Sequence, residues 1–141
     1  YVIPFNLYNR RGEASGQLIG GNLAILTSLL GSNADFNPKG KILFIEEIGE
    51  YLYRIDRMMW SLKRAGKFKG LAGLIVGQFA DIKDNNNPFG QSVQEIISEH
   101  VKDYNFPVCF GFPAGHEDIN QPILLGKKYR LSVNNMRSRL E

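Results

Sequence analysis

Two residues far apart in the chain, Glu46 and His116, have the types and surroundings for proton transfer. His116 ends the stretch Phe110-Gly-Phe-Pro-Ala-Gly-His116, an apolar run that breaks into a proline and glycine turn and presents an imidazole. Histidine is the side chain that ordinarily titrates near neutrality, and a glycine beside it lets a substrate backbone approach. Glu46 is the first of two carboxylates that end the apolar run Lys41-Ile-Leu-Phe-Ile45. Four consecutive apolar residues there, Ile42 to Ile45, suit a strand buried on both faces. In open α/β sheets ligands and catalytic groups gather at the carboxyl edge of the strands. Both residues fall just past buried strands at the same expected edge, so they could meet. A carboxylate accepting the proton of one ring nitrogen fixes the tautomer and stabilises the imidazolium, which leaves the other nitrogen to act as a base.

Plainer and rival roles stand beside that one. Glu46 and Glu47 could be solvated at a strand end or cap the next helix, and a lone histidine is usually structural. His116-Glu117-Asp118 invites a metal, but with two histidines, no His-Glu-x-x-His and no paired cysteines the ligand set is thin. Glu46 with Glu50 would make a glycosidase-like pair without a supporting substrate-groove signature. Gly20-Gly21-Asn22 suggests a phosphate loop, yet neither Gly-Lys-Ser/Thr nor Gly-x-Gly-x-x-Gly is present, and a tight strand-to-helix turn is the safer account. Cys109, inside Pro107-Val-Cys-Phe110, suits a buried small hydrophobe better than a nucleophile. Ser15, in Gly12-Glu-Ala-Ser-Gly16, lacks the spacing of a nucleophile elbow. The residues alone yield a base and its orienting carboxylate, and no nucleophile.

The elements that must position this pair follow from pattern. With 141 residues, 43% hydrophobic and 22% charged, the chain has the size and composition of one ordinary folded domain. Its net charge of +3 comes from scattered lysines and arginines, without the dense basic stripe that nucleic-acid binding needs. No stretch is long and apolar enough to cross a membrane, so no membrane partner is expected. One cysteine cannot form an internal disulfide, which permits a reducing compartment. The chain starts at Tyr1 without an initiator methionine, as a piece of a longer protein would.

Asn9 to Glu13 reads as a polar turn and Gln17 to Ile19 as a brief strand. Asn22 caps a helix from Leu23 to about Leu30, which Gly31 ends. Leu52, Ile55, Met59 and Leu62 make the apolar stripe of a helix over 51–66, on which Glu50 and Arg54 can pair one turn apart. Trp60 reads as core. Leu71 to Phe79 is a second buried strand, and Asp81 to Gly90 a loop built from turn residues. Val93, Ile96, Ile97 and Val101 face inward from a helix over 91–102, with His100 exposed near its end. Pro107 to Phe112 and Tyr129 to Val133 read as further strands.

The succession Gly20-Gly-Asn-Leu23, Leu30-Gly31, Gly40-Lys-Ile-Leu-Phe-Ile-Glu46-Glu-Ile-Gly-Glu50, Tyr53-Arg-Ile-Asp-Arg57, Leu71-Ala-Gly-Leu-Ile-Val-Gly-Gln-Phe79, then Gly115-His116, Asn120 and Gly126 resembles the C-terminal domain of the LD-carboxypeptidases. These are serine peptidases that include muramoyl-tetrapeptide carboxypeptidases and microcin C immunity peptidases. The resemblance covers nearly the whole chain in order. It implies an α/β domain of the swivelling β/β/α type over 1–141, with the serine and oxyanion hole in a separate N-terminal domain. It carries the catalytic glutamate onto Glu46 and the histidine onto His116, and leaves Glu47 without a catalytic role. Ser32, where the family usually has threonine, and Ile123-Leu-Leu-Gly126, which lacks a common proline, depart from the pattern without touching either residue.

The resemblance further implies removal of the terminal D-alanine from a murein tetrapeptide during cell-wall recycling, in the cytoplasm, by a homodimer, with no metal or cofactor. The partners implied are the murein peptide and the chain's own N-terminal domain. The fragment alone is expected to be inactive. A microcin C immunity peptidase, or a binding and dimerisation module, are the alternatives. Arg54 and Arg57 could hold substrate carboxylates, but on a helix face they more simply meet solvent or Glu50.

Overall fold

The computed structural model describes residues 1–141. The chain runs β1 (Val2–Pro4), β2 (Gly12–Asn22), α1 (Leu23–Ser28), β3 (Lys41–Ile48), α2 (Leu52–Arg64), β4 (Gly73–Ala80), α3 (Val93–Val101), β5 (Val108–Phe110), β6 (Lys128–Val133) and β7 (Arg137–Leu140). All seven strands form one sheet in the order β1-β7-β6-β2-β3-β4-β5. β2 to β5 are parallel neighbours, each joined to the next through one helix, and β6, β7 and β1 add antiparallel. This mixed sheet with its three helices is the α/β class that the alternating pattern predicts.

Strand alternation splits the core in two. Leu43 and Ile45 of β3 face the helices and pack with Leu74, Val76, and the stripes Ile55-Met59-Leu62 of α2 and Ile96-Ile97-Val101 of α3. Ile42 and Phe44 face the other way, onto Leu18, Ile75, Cys109 and Phe112, and onto Leu131 of β6, Leu140 of β7 and Ile3 of β1. These residues meet only because the sheet curls, bringing its antiparallel strands over the face that the helices leave free. The result is three successive layers, β/β/α. Arg10 then exchanges both backbone hydrogen bonds with Val108, at 2.9 and 3.0 Å, so β5 is not left as an open edge.

Several local expectations are corrected. β2 is an eleven-residue strand that begins at Gly12, within the expected turn, and runs through Gly20 and Gly21. Its glycines permit close approach to β3 instead of a turn: a Cβ on Gly16 would sit 2.5 Å from the Gly40 carbonyl oxygen, and one on Gly20 only 1.9 Å from that of Phe44. β3 extends through both glutamates to Ile48. His100 is buried, with Nε2 2.7 Å from Asp56 Oδ1, because α3 packs on α2 at this point. Trp60 is 43% exposed, its ring edge against His100, since the inward stripe of α2 runs through Met59 and leaves residue 60 on the flank. β1 and β7, too short to show a pattern, were not expected.

Gly20 and Gly21 separate steric contact from backbone strain, since both have positive φ (130° and 145°) but only a Cβ at Gly20 meets an atom within 4 Å. Gly20→Ala is expected to lower stability by about 3–5 kcal/mol and Gly21→Ala by about 1 kcal/mol. Urea denaturation of both variants checks the difference.

Candidate active site

The pairing of β3 with β4 slips at the glutamates. Ile45 pairs with Val76 and Glu47 with Phe79, so the single residue Glu46 faces two residues, Gly77 and Gln78. A bulge of this kind twists the ladder and re-aims side chains. By alternation Glu46 lies on the face of Ile42 and Phe44, away from the helices.

His116 comes to that face on the loop after β5. Phe112 donates its backbone N–H to the Val76 carbonyl at 3.1 Å, and Gln78 donates to Ala114 at 2.9 Å, so the chain leaving β5 lies along β4. Two glycines allow this approach. A Cβ on Gly77 would sit 2.5 Å from the Ala114 oxygen, and one on Gly115 2.8 Å from Gln78 Cβ. Asn120 closes the turn around His116, accepting from the Gly115 N–H at 3.3 Å and donating to its carbonyl at 2.9 Å.

Glu46 and His116 meet as the sequence suggested. His116 Nδ1 lies 2.8 Å from Glu46 Oε2, with the glutamate side chain 8% exposed and the histidine side chain 48% exposed. A carboxylate facing Nδ1 places the proton there and leaves the Nε2 lone pair available. Nε2 has no hydrogen bond within the chain, and the ring lines an open depression of about 620 Å³ with Phe79, Asp81, Glu117 and Ile119. The arrangement can take a proton from a group that reaches Nε2 and return it.

Glu47 points to the opposite face and has a different task. Its carboxylate accepts from Asn22 Nδ2 at 2.7 Å, from the Ala24 N–H at 2.8 Å and from the Ile48 N–H at 2.9 Å, while Asn22 Oδ1 accepts from Ile25. It therefore satisfies the first turn of α1 from beneath, the favourable end of the helix for an anion. The sequence carried one signal for this role: adjacent residues on a strand must face opposite sides.

The other sequence candidates are not drawn into the site. Glu50 is paired with Arg54 at 3.5 Å, and the Arg57 guanidinium sits over the Tyr53 ring. Ser15 lies on β2 seven residues before Asn22, which is roughly 23 Å back along the strand from the edge where Glu46 sits. No serine or threonine hydroxyl is bonded to His116. Nowhere do three or more His, Cys, Asp or Glu side chains converge as metal ligands would. Cys109 is buried on β5, and burial pushes its thiol up to about 11.

Glu47→Ala strips three donors of their acceptor and is expected to cost about 3 kcal/mol, whereas Glu47→Gln, which retains an oxygen, costs about 1 kcal/mol; chemical denaturation reads both. Cys109 should resist thiol reagents at pH 8 until the domain unfolds. Because its folded value is raised above the unfolded value of about 8.5, its contribution to stability is complete below that pH and is lost as pH rises toward about 11. A pH series of unfolding midpoints for the protein and Cys109→Ala isolates that loss.

Comparison with known proteins bears on the whole chain. The family profile described as the LD-carboxypeptidase C-terminal domain matches residues 15–131. A probable murein peptide carboxypeptidase of Bacillus subtilis is 34% identical over 122 residues, which is 86% of this chain and 38% of that protein. The murein tetrapeptide carboxypeptidase of Pseudomonas aeruginosa is 29% identical over 133 residues, covering 94% and 43%. The crystal structure of muramoyltetrapeptide carboxypeptidase from Oxalobacter formigenes superposes with a TM-score of 0.89 at 27% identity, over 99% of this chain and 48% of that one. Microcin C7 self-immunity protein MccF superposes with a TM-score of 0.81, also at 27% identity, over 94% and 40%. The chain thus spans about 40% of the length of the curated relatives it matches. A profile match of that extent, on a fold shared from end to end, makes this chain a member of the LD-carboxypeptidase family, corresponding to its C-terminal domain.

Proposed function

We propose that this domain supplies the general base and its orienting carboxylate to a serine carboxypeptidase that removes the terminal D-alanine from murein tetrapeptides. The observation that carries this reading is the 2.8 Å contact between His116 Nδ1 and Glu46, with Nε2 left unbonded. In the proposed reaction, a serine from a separate N-terminal domain attacks the scissile carbonyl and gives its proton to His116 Nε2. The imidazolium, held on Glu46, then protonates the leaving amine, and the cycle repeats with water to release the acyl group. Domain 1–141 acts with that N-terminal domain in a cytoplasmic homodimer, and the step needs no metal or cofactor. The likeness to the murein tetrapeptide carboxypeptidase of Pseudomonas aeruginosa and the muramoyltetrapeptide carboxypeptidase of Oxalobacter formigenes supports this substrate class.

A second reading rests on the likeness to MccF, of which one solved structure is a complex with aspartyl sulfamoyl adenosine. The same pair would then act on an aminoacyl-nucleotide mimic. The only tryptophan, Trp60, offers little support for base stacking there: it is engaged by His100, Lys63 and Arg64.

D-Alanine release from a murein tetrapeptide tests the proposal. The full-length protein should be active and the isolated domain inactive. In the full-length protein, His116→Ala should lower kcat by about 10³-fold or more, and Glu46→Gln by about 10²- to 10⁴-fold. Release by the isolated domain, or full activity in His116→Ala, would refute it. Preference for an aminoacyl sulfamoyl nucleoside over the tetrapeptide would favour the second reading.

A further inference from the structure

Gln78, one of the two bulge residues of β4 opposite Glu46, commits both ends of its amide to the loop that carries His116. Oε1 accepts the Glu117 backbone N–H at 3.0 Å, and Nε2 donates to the Ile119 carbonyl at 2.6 Å. Its own backbone N–H donates to Ala114 at 2.9 Å. One residue of β4 thus grips the loop before His116 and twice after it. A carboxamide suits the task because it offers an acceptor and a donor at the end of one uncharged side chain.

His116 needs such a grip. Its ring is half exposed and makes one hydrogen bond, and no helix or strand intervenes between β5 and β6 to hold the loop. The bonds of Asn120 to Gly115, and of the Gln121 N–H to the Pro113 carbonyl at 2.7 Å, lie within the loop. They set its shape. Its two ends are held by the Phe112 N–H on the Val76 carbonyl at 3.1 Å, by Tyr1 Oη on the Pro122 carbonyl at 2.5 Å and by the Gly126 N–H on the Leu18 carbonyl at 2.7 Å, which leaves the stretch around His116 to be placed on the sheet. Gln78 ties it to the strand that pairs with the one carrying Glu46, so imidazole and carboxylate share one frame.

The loop also has somewhere to go. Behind it lies a cavity of about 630 Å³, which shares Phe79, Glu117 and Ile119 with the depression that His116 lines. Glu117 and Ile119 thus face both spaces, and the Gln78 amide is bonded to the backbone of each. A shift of about 1 Å in a catalytic group can cost about 10²-fold in rate.

We propose that Gln78 is a positioning residue for His116: its amide pins the loop to β4, so that Nδ1 stays on Glu46 and Nε2 stays aimed outward. This rests on the proposed role of His116. The test uses the full-length protein with Gln78→Met, which keeps the length of the side chain and removes both bonds, and Gln78→Glu, which keeps only the acceptor. In Gln78→Met, kcat for D-alanine release per folded molecule should fall about 10- to 100-fold with KM within about two-fold. The Glu117 amide should be protected from exchange in the unsubstituted protein and in Gln78→Glu, and exchange freely in Gln78→Met while β3 and β4 keep their protection. A merely structural role would accelerate exchange throughout and leave kcat per folded molecule intact.

Unchanged kcat in Gln78→Met would overturn the proposal while leaving His116 as the base. So would a Glu117 amide that exchanges as an open loop in the unsubstituted protein, a measurement that stands even if the variants fail to fold. Activity retained in His116→Ala would overturn the base itself, and the positioning role with it.

Discussion

A carboxylate can be buried only where hydrogen bonds or an opposite charge replace its lost water, and β3 buries two in succession. Glu46 and Glu47 are 6% and 2% exposed. Because strand side chains alternate, the two must be satisfied on opposite faces of the sheet by unrelated parts of the chain. The first turn of α1 and Asn22 answer Glu47 from the helical side, and His116 answers Glu46 from the other. The close approach of β2 at Gly20, the glycines that let the loop lie on β4 and the one-residue slip between β3 and β4 all serve to bring those partners in.

The chain contains a second carboxylate-imidazole pair, and the contrast between the two supports the role proposed for the first. In His116–Glu46 the acidic side chain is 8% exposed and the histidine side chain 48%; in His100–Asp56 the histidine side chain is 3% exposed and the acidic side chain 30%. Both have hydrogen bonds of 2.7–2.8 Å. His100 is sealed between α2, α3 and the Trp60 ring, where it joins two helices and no reactant reaches it. His116 has its anchor buried and its other nitrogen clear. Which partner is buried, more than the contact itself, separates the packing pair from the pair proposed to act as a base.

Much of this was legible in the sequence, for physical reasons that also mark where it stopped. The apolar runs of β3 and β4, the stripes of α2 and α3 and the Asn22 cap are local signals, and each fixed an element. The shared edge of Glu46 and His116 followed from their both trailing apolar runs, although β3 continues through Glu46 to Ile48. The Gly20-Gly21 pair misled because a glycine that permits close approach, as Gly20 does, looks the same as one that permits a turn. The Phe44 carbonyl that distinguishes them belongs to another strand. His100 was misplaced for a similar reason, its partner Asp56 lying on the neighbouring helix. The bulge at Gly77–Gln78 depends on strand register, which no periodicity reveals. Glu47 was the missed inference, since alternation alone puts it on the opposite face from Glu46.

The central claim is that Glu46 holds His116 with its proton on Nδ1 and its Nε2 lone pair free. Nitrogen-15 NMR of the His116 ring in the full-length protein, at a pH where the ring is neutral, tests this most directly. The account predicts a protonated Nδ1 carrying a low-field proton resonance, an unprotonated Nε2, and loss of that proton resonance in Glu46→Ala. A ring protonated on Nε2, or one whose spectrum does not respond to removal of Glu46, would contradict it.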